Sequence, residues 1–288
     1  MYRTQGGLKV ADLKEELIEF ARTIGADKIG IADASLIKNP PQEQDFDPEN
    51  YVNGAKCAIS ICVAFPEDAV GLDDEDDFTF CTSFGSTYVT LKRQIDTIGM
   101  KLVKFLEEKG YKAKYIGPEL PFDKGCQICG LLHPYIHKHI AQVGGIGEEG
   151  MSNLLVTPEY GPRVILASVI TDAPLEPDGP RLVGKVCLKC NTCVEECPTG
   201  ALSDENYPPY NFERNRCFWG YFGGMRVTEV DTPPMDWLNA KPSALSVLPQ
   251  YKSKNPRLKE LLDWDEALGA FPKCTRCMSA CPVGAKEE

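Results

Sequence analysis

The sequence predicts an α+β fold followed by a cysteine-rich module. Helix-like and strand-like segments alternate over the first 180 residues without a repeat unit, and eight of the thirteen cysteines lie after residue 186. We therefore divide the chain into an α/β sandwich domain, residues 1–180, and a cysteine-rich module, residues 181–288.

Apolar periodicity predicts the elements of the first domain in turn. Residues 11–25 place Leu13, Leu17 and Ala21 on one helical face before Gly25. Helices are also predicted over residues 86–109 and 133–145. Buried strands are predicted at KIGIA (28–32), AKCAISICVAF (55–65), YKAKYI (111–116), LLVTP (154–158) and RVILASVIT (163–171).

Composition and charge narrow the classes of function. The chain has 288 residues, 43% of them hydrophobic, and a net charge of −11. Such an acidic balance predicts no nucleic-acid partner and no anionic-membrane partner. No apolar run reaches the roughly 18 residues of a membrane helix, and no secretion signal is visible, so we expect a cytoplasmic protein. The acidic run GLDDEDDF, residues 71–78, is expected to form a solvated loop.

The cysteines predict metal chemistry. An odd count without a secretion signal argues against a disulfide scaffold, and Cys57 and Cys62 are expected to be core residues. Residues 187–198, CLKCNTCVEECP, match at every position the C-x2-C-x2-C-x3-C-P run that binds 4Fe–4S clusters. Residues 274–282, CTRCMSACP, form a second run that also closes on Cys-Pro but is one cysteine short.

An exchange of ligands between the two runs accounts for the missing cysteine. In two-cluster ferredoxins, the fourth cysteine of each run binds the other cluster. Cys217 can supply the remaining thiol from a loop that returns to the second run. The predicted ligands are Cys187, Cys190, Cys193 and Cys281 for cluster one, and Cys197, Cys217, Cys274 and Cys277 for cluster two. Zinc suits a lone C-x2-C pair, but it explains a full four-cysteine run poorly.

A further pair, Cys126 and Cys129, has no assigned role. The only three histidines of the chain, His133, His137 and His139, follow it closely. A Cys2His2 zinc site, two reduced cysteines that line a cofactor pocket, and a purely structural role are all compatible with this spacing.

Residues 144–178, GGIGEEGMSNLLVTPEYGPRVILASVITDAPLEPD, followed by the first cysteine run, resemble the reductive dehalogenases and the related epoxyqueuosine reductases. The resemblance is close over about residues 140–288 and covers the first half only in general layout. It implies a nitroreductase-like α/β sandwich that binds base-off cobalamin, joined to a ferredoxin-like module with two 4Fe–4S clusters. The positions implied to line the corrinoid are Gly147, Gly150, Met151, Ser152, Thr157, Tyr160 and Arg163.

The resemblance also implies a function. An external donor of ferredoxin or flavodoxin type would pass electrons through the two clusters to cobalamin, which would reduce a small substrate. A catalytic tyrosine is expected upstream of the glycines, where Tyr111, Tyr115 and Tyr135 are available; Tyr135, the nearest, or His133 would deliver the proton. One alternative is a non-catalytic redox protein that binds or reduces corrinoid for a partner such as a corrinoid methyltransferase. Another is a plain ferredoxin-like carrier whose first domain is empty or holds a flavin.

Three departures from these families bear on the partner. Epoxyqueuosine reductases carry an acidic residue near the position of Leu131, where this sequence has none. The chain also ends six residues after its last Cys-Pro and is strongly acidic, which reinforces the expectation that it does not bind tRNA. The twin-arginine signal of respiratory dehalogenases is absent, although the stretch TPEYGPR resembles the dehalogenases more.

Overall fold

The computed structural model describes residues 10–40, 46–118, 129–205, 212–240, 248–257, 259–260, 263 and 272–285. At residues 10–12, 77, 129–135 and 248–249 it describes the backbone alone. Within these ranges the fold is a mixed α+β structure with a small sheet and surrounding helices, as the sequence predicts. None of the described helices is long and apolar enough to cross a membrane.

Six strands form two antiparallel sheets among the described residues. They are β1 (Lys28–Asp33), β2 (Cys57–Ala64), β3 (Ala113–Ile116), β4 (Glu148–Glu149), β5 (Leu155–Val156) and β6 (Val164–Thr171). The larger sheet has the order β1-β2-β6-β3, and every neighbouring pair is antiparallel. Strands β4 and β5 pair as a hairpin. The five predicted strands are all present, with shorter bounds in most cases.

Ten α-helices lie among the described residues, together with three short 3-10 helices and one π-helical segment. The α-helices are α1 (Val10–Thr23), α2 (Asp77–Phe80), α3 (Ser86–Glu108), α4 (Cys129–Val143), α5 (Thr192–Glu195), α6 (Arg214–Tyr221), α7 (Gly224–Thr228), α8 (Met235–Leu238), α9 (Leu248–Lys254) and α10 (Arg276–Ser279). The three predicted helices correspond to α1, α3 and α4. The short helices α5 to α10 lie in the cysteine-rich part, where no apolar period predicts them.

The larger sheet is buried on both faces. Along β2, Ile59 and Ile61 belong to the core that includes residues of α1 and α3, whereas Ala58 belongs to the core that includes residues of α4. This alternation follows from the two-residue period of a strand. The sheet is therefore the middle layer of three.

Small residues let α4 lie very close to the sheet. A methyl group on Gly30 of β1 would overlap the carbonyl oxygen of Gly144, the residue directly after α4. Glycine at position 30 is therefore required by this close approach. The contact fixes where α4 ends and where the glycine-rich segment begins.

A separate aromatic core supports the helix that carries Cys217. Trp219 of α6 and Trp237 of α8 are almost fully buried, and their ring centroids are 5.2 Å apart in an edge-to-face arrangement. The Trp237 indole N–H donates to the carbonyl of Asn215 at 2.8 Å. Each buried indole thus satisfies its packing and polar requirements together, which holds α6 in place.

The prediction that Cys57 and Cys62 are core residues is confirmed, since both are 0% exposed. Burial raises the pKa of Cys57 to about 12 and also raises the pKa of Cys62. In the folded protein at pH 8, we expect iodoacetamide to leave both thiols unlabelled until denaturant is added. Mass spectrometry of the peptides measures this, and rapid labelling of either thiol without denaturant would contradict the packing.

The same pKa shifts predict a pH dependence of stability. The unfolded chain loses these two protons above about pH 9, before the folded chain does, so the free energy of unfolding should fall as the pH rises from about 9. Denaturant titrations at pH 7, 9 and 10 measure the effect. A double Cys→Ala variant at positions 57 and 62 is the control, and its pH slope should be smaller.

Candidate metal centres

Four cysteines from the two runs line a single cavity. They are Cys187, Cys190, Cys193 and Cys281, which we call set one. The cavity is also lined by Met151, Ser152 and Val156 from the glycine-rich segment and β5. Cys281 therefore joins three cysteines that lie more than 80 residues earlier in the chain.

Local backbone geometry turns the first run around this cavity. Asn191 adopts a left-handed conformation with φ of 64°, which asparagine tolerates better than most residues, and α5 follows directly. The Thr192 hydroxyl donates to Cys190 Sγ at 3.3 Å, and this bond lowers the pKa of the exposed Cys190 thiol. Burial raises the pKa of Cys193 to about 11, and negative charge at Cys187 would act in the same direction.

The other four cysteines form a second group, set two: Cys197, Cys217, Cys274 and Cys277. Burial raises the pKa of Cys217 to about 12, and the nearby Cys274 and Cys197 thiols reinforce the shift. Burial raises the pKa of Cys277 well above its usual value, and its neighbours include Cys193 of set one as well as the members of set two. The two sets are therefore adjacent.

Helix α6 brings Cys217 to the second run. Lys273, the residue before Cys274, donates its backbone N–H to the carbonyl of Tyr221 at the end of α6, at 3.0 Å. A methyl group on Gly220 would lie 3.3 Å from Cys274 Cβ, so helix and run are in close contact. On the other side, the Ala201 N–H donates to Cys197 Sγ at 3.3 Å.

The donor chemistry of both sets suits a metal cluster. All eight thiols are free of disulfides. Burial, reinforced by the neighbouring thiols, raises the pKa values of Cys217 and Cys277, so several thiolates in set two would be unfavourable without a cation. Among the described residues, no three His, Cys, Asp or Glu side chains converge on a position for one metal ion. Thiols that surround a volume are compatible with a cubane, where each thiolate binds a different iron.

Glu148 anchors the start of the first run. Its buried carboxylate accepts hydrogen bonds from the backbone N–H groups of Lys185 and Cys187, both at 2.8 Å. These bonds tie strand β4 to the chain that enters set one. Charge-assisted bonds to backbone are among the strongest that a carboxylate makes.

Four of the residues predicted to line a corrinoid fall into two groups. Met151 and Ser152 line the cavity of set one. The glycines pack against protein: a methyl group on Gly147 would lie 2.6 Å from the carbonyl oxygen of Val156, and one on Gly150 would lie 2.5 Å from the Val156 side chain. The absence of side chains at Gly147 and Gly150 thus allows β5 to pack closely against this segment.

The stretch TPEYGPR forms a closed turn against the end of the second run. The Thr157 hydroxyl donates to the carbonyl of Gly161 and accepts from the Tyr160 N–H. The guanidinium of Arg163 donates to three carbonyls of the second run and the residues that follow it. The polar groups of Thr157 and Arg163 therefore bind other parts of the protein, although both residues were predicted to line a corrinoid.

The histidines and tyrosines are placed as follows. His137 is buried, with Nδ1 2.9 Å from the Ser168 hydroxyl and Nε2 2.7 Å from the Gly117 carbonyl, so both ring nitrogens are engaged. His139 Nε2 lies 3.2 Å from the carbonyl of Leu36. The Tyr115 hydroxyl donates to Asp96 at 2.7 Å. The side chains of Cys129, His133 and Tyr135, and the whole of Cys126, lie outside the described residues.

The prediction of a solvated acidic loop at residues 71–78 is wrong in part. Asp73 is half-buried and its carboxylate accepts hydrogen bonds from Thr275, which lies between Cys274 and Cys277. Acidic residues repeated along a sequence are usually solvated, and nothing local distinguishes Asp73 from its neighbours. Only the position of the second run, about 200 residues later, reveals its partner.

Sequence comparison relates the chain to two groups of reductases. It is 31% identical over 235 residues to epoxyqueuosine reductase from Bacillus subtilis strain 168, which covers 73% of this chain and 55% of the relative. It is 30% identical over 201 residues to tetrachloroethene reductive dehalogenase from Dehalobacter restrictus, which covers 62% of this chain and 33% of the relative. The chain is a homologue of both groups. No family model matches it, and it spans about half the length of the epoxyqueuosine reductases it matches.

Solved structures of the same two groups share the fold. Epoxyqueuosine reductase from Bacillus subtilis superposes with a TM-score of 0.54 at 22% identity, covering 97% of this chain and 67% of that one. A reductive dehalogenase whose structure suggests a mechanism for B12-dependent dehalogenation gives a TM-score of 0.54 at 18% identity, covering 93% of this chain and 38% of that one.

The sequence-based exclusion of a nucleic-acid partner is wrong. An epoxyqueuosine reductase of this fold, with a TM-score of 0.52 and 23% identity over 96% of this chain, has been solved with an epoxyqueuosine-modified tRNA stem loop. Net charge sums over the whole chain and does not report local surfaces. The ten residues 181–190, for example, include the exposed Arg181, Lys185 and Lys189 and no acidic residue.

The anchoring role of Glu148 predicts a selective loss of stability. Glu148→Gln keeps one acceptor oxygen but turns an amide N–H₂ towards a backbone donor, which should cost about 1–3 kcal/mol in the free energy of unfolding. Denaturant titration measures the change. Glu149→Gln, one residue along the same strand, is the control and should change stability by less; equal losses would contradict the anchoring role.

Proposed function

We propose that the chain is a cytoplasmic, corrinoid-dependent iron–sulfur oxidoreductase. The observation that carries this proposal is the grouping of eight cysteines from two distant runs into two adjacent four-thiol sets. The homology to two groups of reductases supports the reaction class. In this proposal residues 1–180 form a nitroreductase-like corrinoid domain and residues 181–288 a ferredoxin-like module.

Each set supplies the four thiolates that a 4Fe–4S cluster takes. When bound, the clusters would supply single electrons, and the corrinoid would supply a metal centre that reduces the substrate. The protein's own part would be to hold the thiolates that bind the metal, to maintain the shape of the cavity, and to restrict the access of water to it. The Thr192 hydroxyl and the Ala201 N–H assist by donating hydrogen bonds to the Sγ atoms of Cys190 and Cys197, respectively.

One buried polar atom is evidence for a ligand that binds beside set one. Asn153, which directly follows Met151 and Ser152, is 6% exposed, and its side-chain oxygen has no hydrogen-bond partner among the described residues. Lys138 of α4 donates to the Asn153 backbone carbonyl, so the segment is fixed by other contacts. A corrinoid carries amide side chains whose N–H groups would satisfy such an acceptor. Burying it without a partner is otherwise costly.

The remaining roles follow the homology. The electron donor would be a ferredoxin or flavodoxin, and Tyr135 or His133 of α4 would supply the proton. The substrate would be related to those of the relatives, namely epoxyqueuosine in tRNA or a small halogenated compound such as tetrachloroethene. Turnover assays with both substrates distinguish these two cases.

Anaerobic reconstitution tests the proposal. The protein is reconstituted with iron and sulfide, incubated with hydroxocobalamin, and freed of excess cofactor before iron, cobalt and the visible spectrum are measured. About eight iron atoms and about one base-off corrinoid per chain are expected. Eight iron atoms without retained cobalt would leave a ferredoxin-like electron carrier, and four or fewer would contradict the two-cluster assignment.

A variant at position 153 tests the corrinoid segment separately. Asn153 has φ of 58°, so Asn153→Gly removes the side chain without straining the backbone. We expect corrinoid affinity to fall about tenfold, the effect of about 1.4 kcal/mol, with iron content unchanged. Spectroscopic titration with hydroxocobalamin measures this. Asn50→Ala, at an exposed asparagine in a short 3-10 helix, is the control, and equal affinities in both variants would remove Asn153 from the site.

A further inference from the structure

The second cysteine run serves both sets at once. Cys274 and Cys277 belong to set two, whereas Cys281 belongs to set one. Cys277 lies in the single turn of α10 (Arg276–Ser279), Cys274 lies just before that turn and Cys281 just after it. The run is too short to hold itself in register with two separate clusters, so contacts from the rest of the chain must place it.

Arg163 holds the end of the run. It is 7% exposed and lies directly before β6. Its Nη1 donates to the carbonyls of Met278 at 3.3 Å and Cys281 at 3.0 Å, and its Nη2 donates to the carbonyl of Val283 at 2.6 Å. The guanidinium is a rigid planar fork, so three bonds to one backbone segment fix both its position and its orientation.

Backbone packing makes this contact tight. A methyl group on Gly161 would overlap the carbonyl oxygen of Val283, and one on Gly284 would overlap the backbone N of Gly161. Both glycines have positive φ, at 55° and 68°. The turn before Arg163 and the segment after Cys281 therefore interlock, which leaves Cys281 little freedom.

Asp73 holds the beginning of the run. Its Oδ1 accepts from the Thr275 N–H at 2.6 Å, and its Oδ2 accepts from the Thr275 hydroxyl. Thr275 is 2% exposed and is flanked by Cys274 on one side and Arg276 on the other. Arg226 reinforces the contact, because it donates to the carbonyls of both Asp73 and Lys273, at 3.0 and 3.1 Å.

We propose that Arg163 and Asp73 are positioning residues, one for each cluster. Arg163 places Cys281 for the cluster of set one, and Asp73 places Cys274 and Cys277 for the cluster of set two. Both residues come from the sheet-bearing part of the chain, so that part organises the clusters as well as the cofactor segment. This inference rests on the proposed two-cluster function.

Cluster-selective loss distinguishes positioning from general stabilisation. Cys281→Ser and Cys217→Ser provide reference proteins that should each lack one cluster, and their electron paramagnetic resonance (EPR) spectra identify the cluster that remains. Arg163→Met should lose iron from about eight to about four atoms per chain and match the Cys281→Ser spectrum. Asp73→Ala should show the same loss but match the Cys217→Ser spectrum.

Conservative variants and matched controls sharpen the comparison. Asp73→Asn keeps one acceptor for Thr275, and Arg163→Lys keeps the charge without the fork, so each should recover part of the lost cluster. Glu75→Ala, an exposed acidic residue two positions after Asp73, and Arg93→Met, an exposed arginine on α3, should retain about eight iron atoms. Thermal unfolding of the cluster-free proteins shows whether each variant still folds.

The outcomes separate this inference from the proposed function. Wild-type protein with about eight iron atoms, together with variants that lose both clusters equally or neither, would overturn the positioning roles and leave the proposed function intact. A variant that fails to fold would lose both clusters without reporting on positioning. In that case the iron content and EPR spectrum of the conservative variant at the same position, Asp73→Asn or Arg163→Lys, test the positioning role. Wild-type protein with four or fewer iron atoms would overturn the proposed function itself.

Discussion

The structure depends on bringing thiols together from chain segments that are far apart in sequence. Set one closes only when Cys281 reaches the first run, and set two only when Cys197 and Cys217 meet the second run. Crowded thiolates repel one another, so protein contacts must hold these segments together, and a bound metal would relieve the repulsion. In the proposed two-cluster protein, neither cluster can therefore form from one run alone, because each takes at least one thiol from the other run.

The sheet-bearing part positions the two cysteine runs through a few polar anchors. Glu148 holds the first run, while Asp73 and Arg163 hold the two ends of the second. The anchors in turn are placed by packing: α4 lies against β1 at Gly30, which sets the start of the segment that carries Glu148. Packing in the sheet thus determines the geometry at the cysteines.

The sequence was most informative where the signal is local. Strand alternation and helical periodicity predict β2, β6 and α3 because each depends on its own residues. The cysteine runs are also local patterns, but the assignment of Cys281 and Cys217 to their sets required the exchange of ligands known for two-cluster ferredoxins. Partners distant in sequence were not predictable: Asp73 resembles its acidic neighbours, and Arg163 was assigned to a cofactor surface by resemblance although its guanidinium binds the second run. The prediction from net charge that no nucleic acid binds was wrong because net charge is a sum over the whole chain and does not describe local surfaces.

The EPR spectrum of the fully reduced, reconstituted protein tests the central claim most directly. Cys277 of set two lies near Cys193 of set one, so two paramagnetic clusters would be close enough to interact. The account predicts about two spins per chain with a spectrum broadened or split by that interaction. A single isolated signal of one spin per chain, or two signals without any interaction, would contradict two adjacent clusters that share the second run.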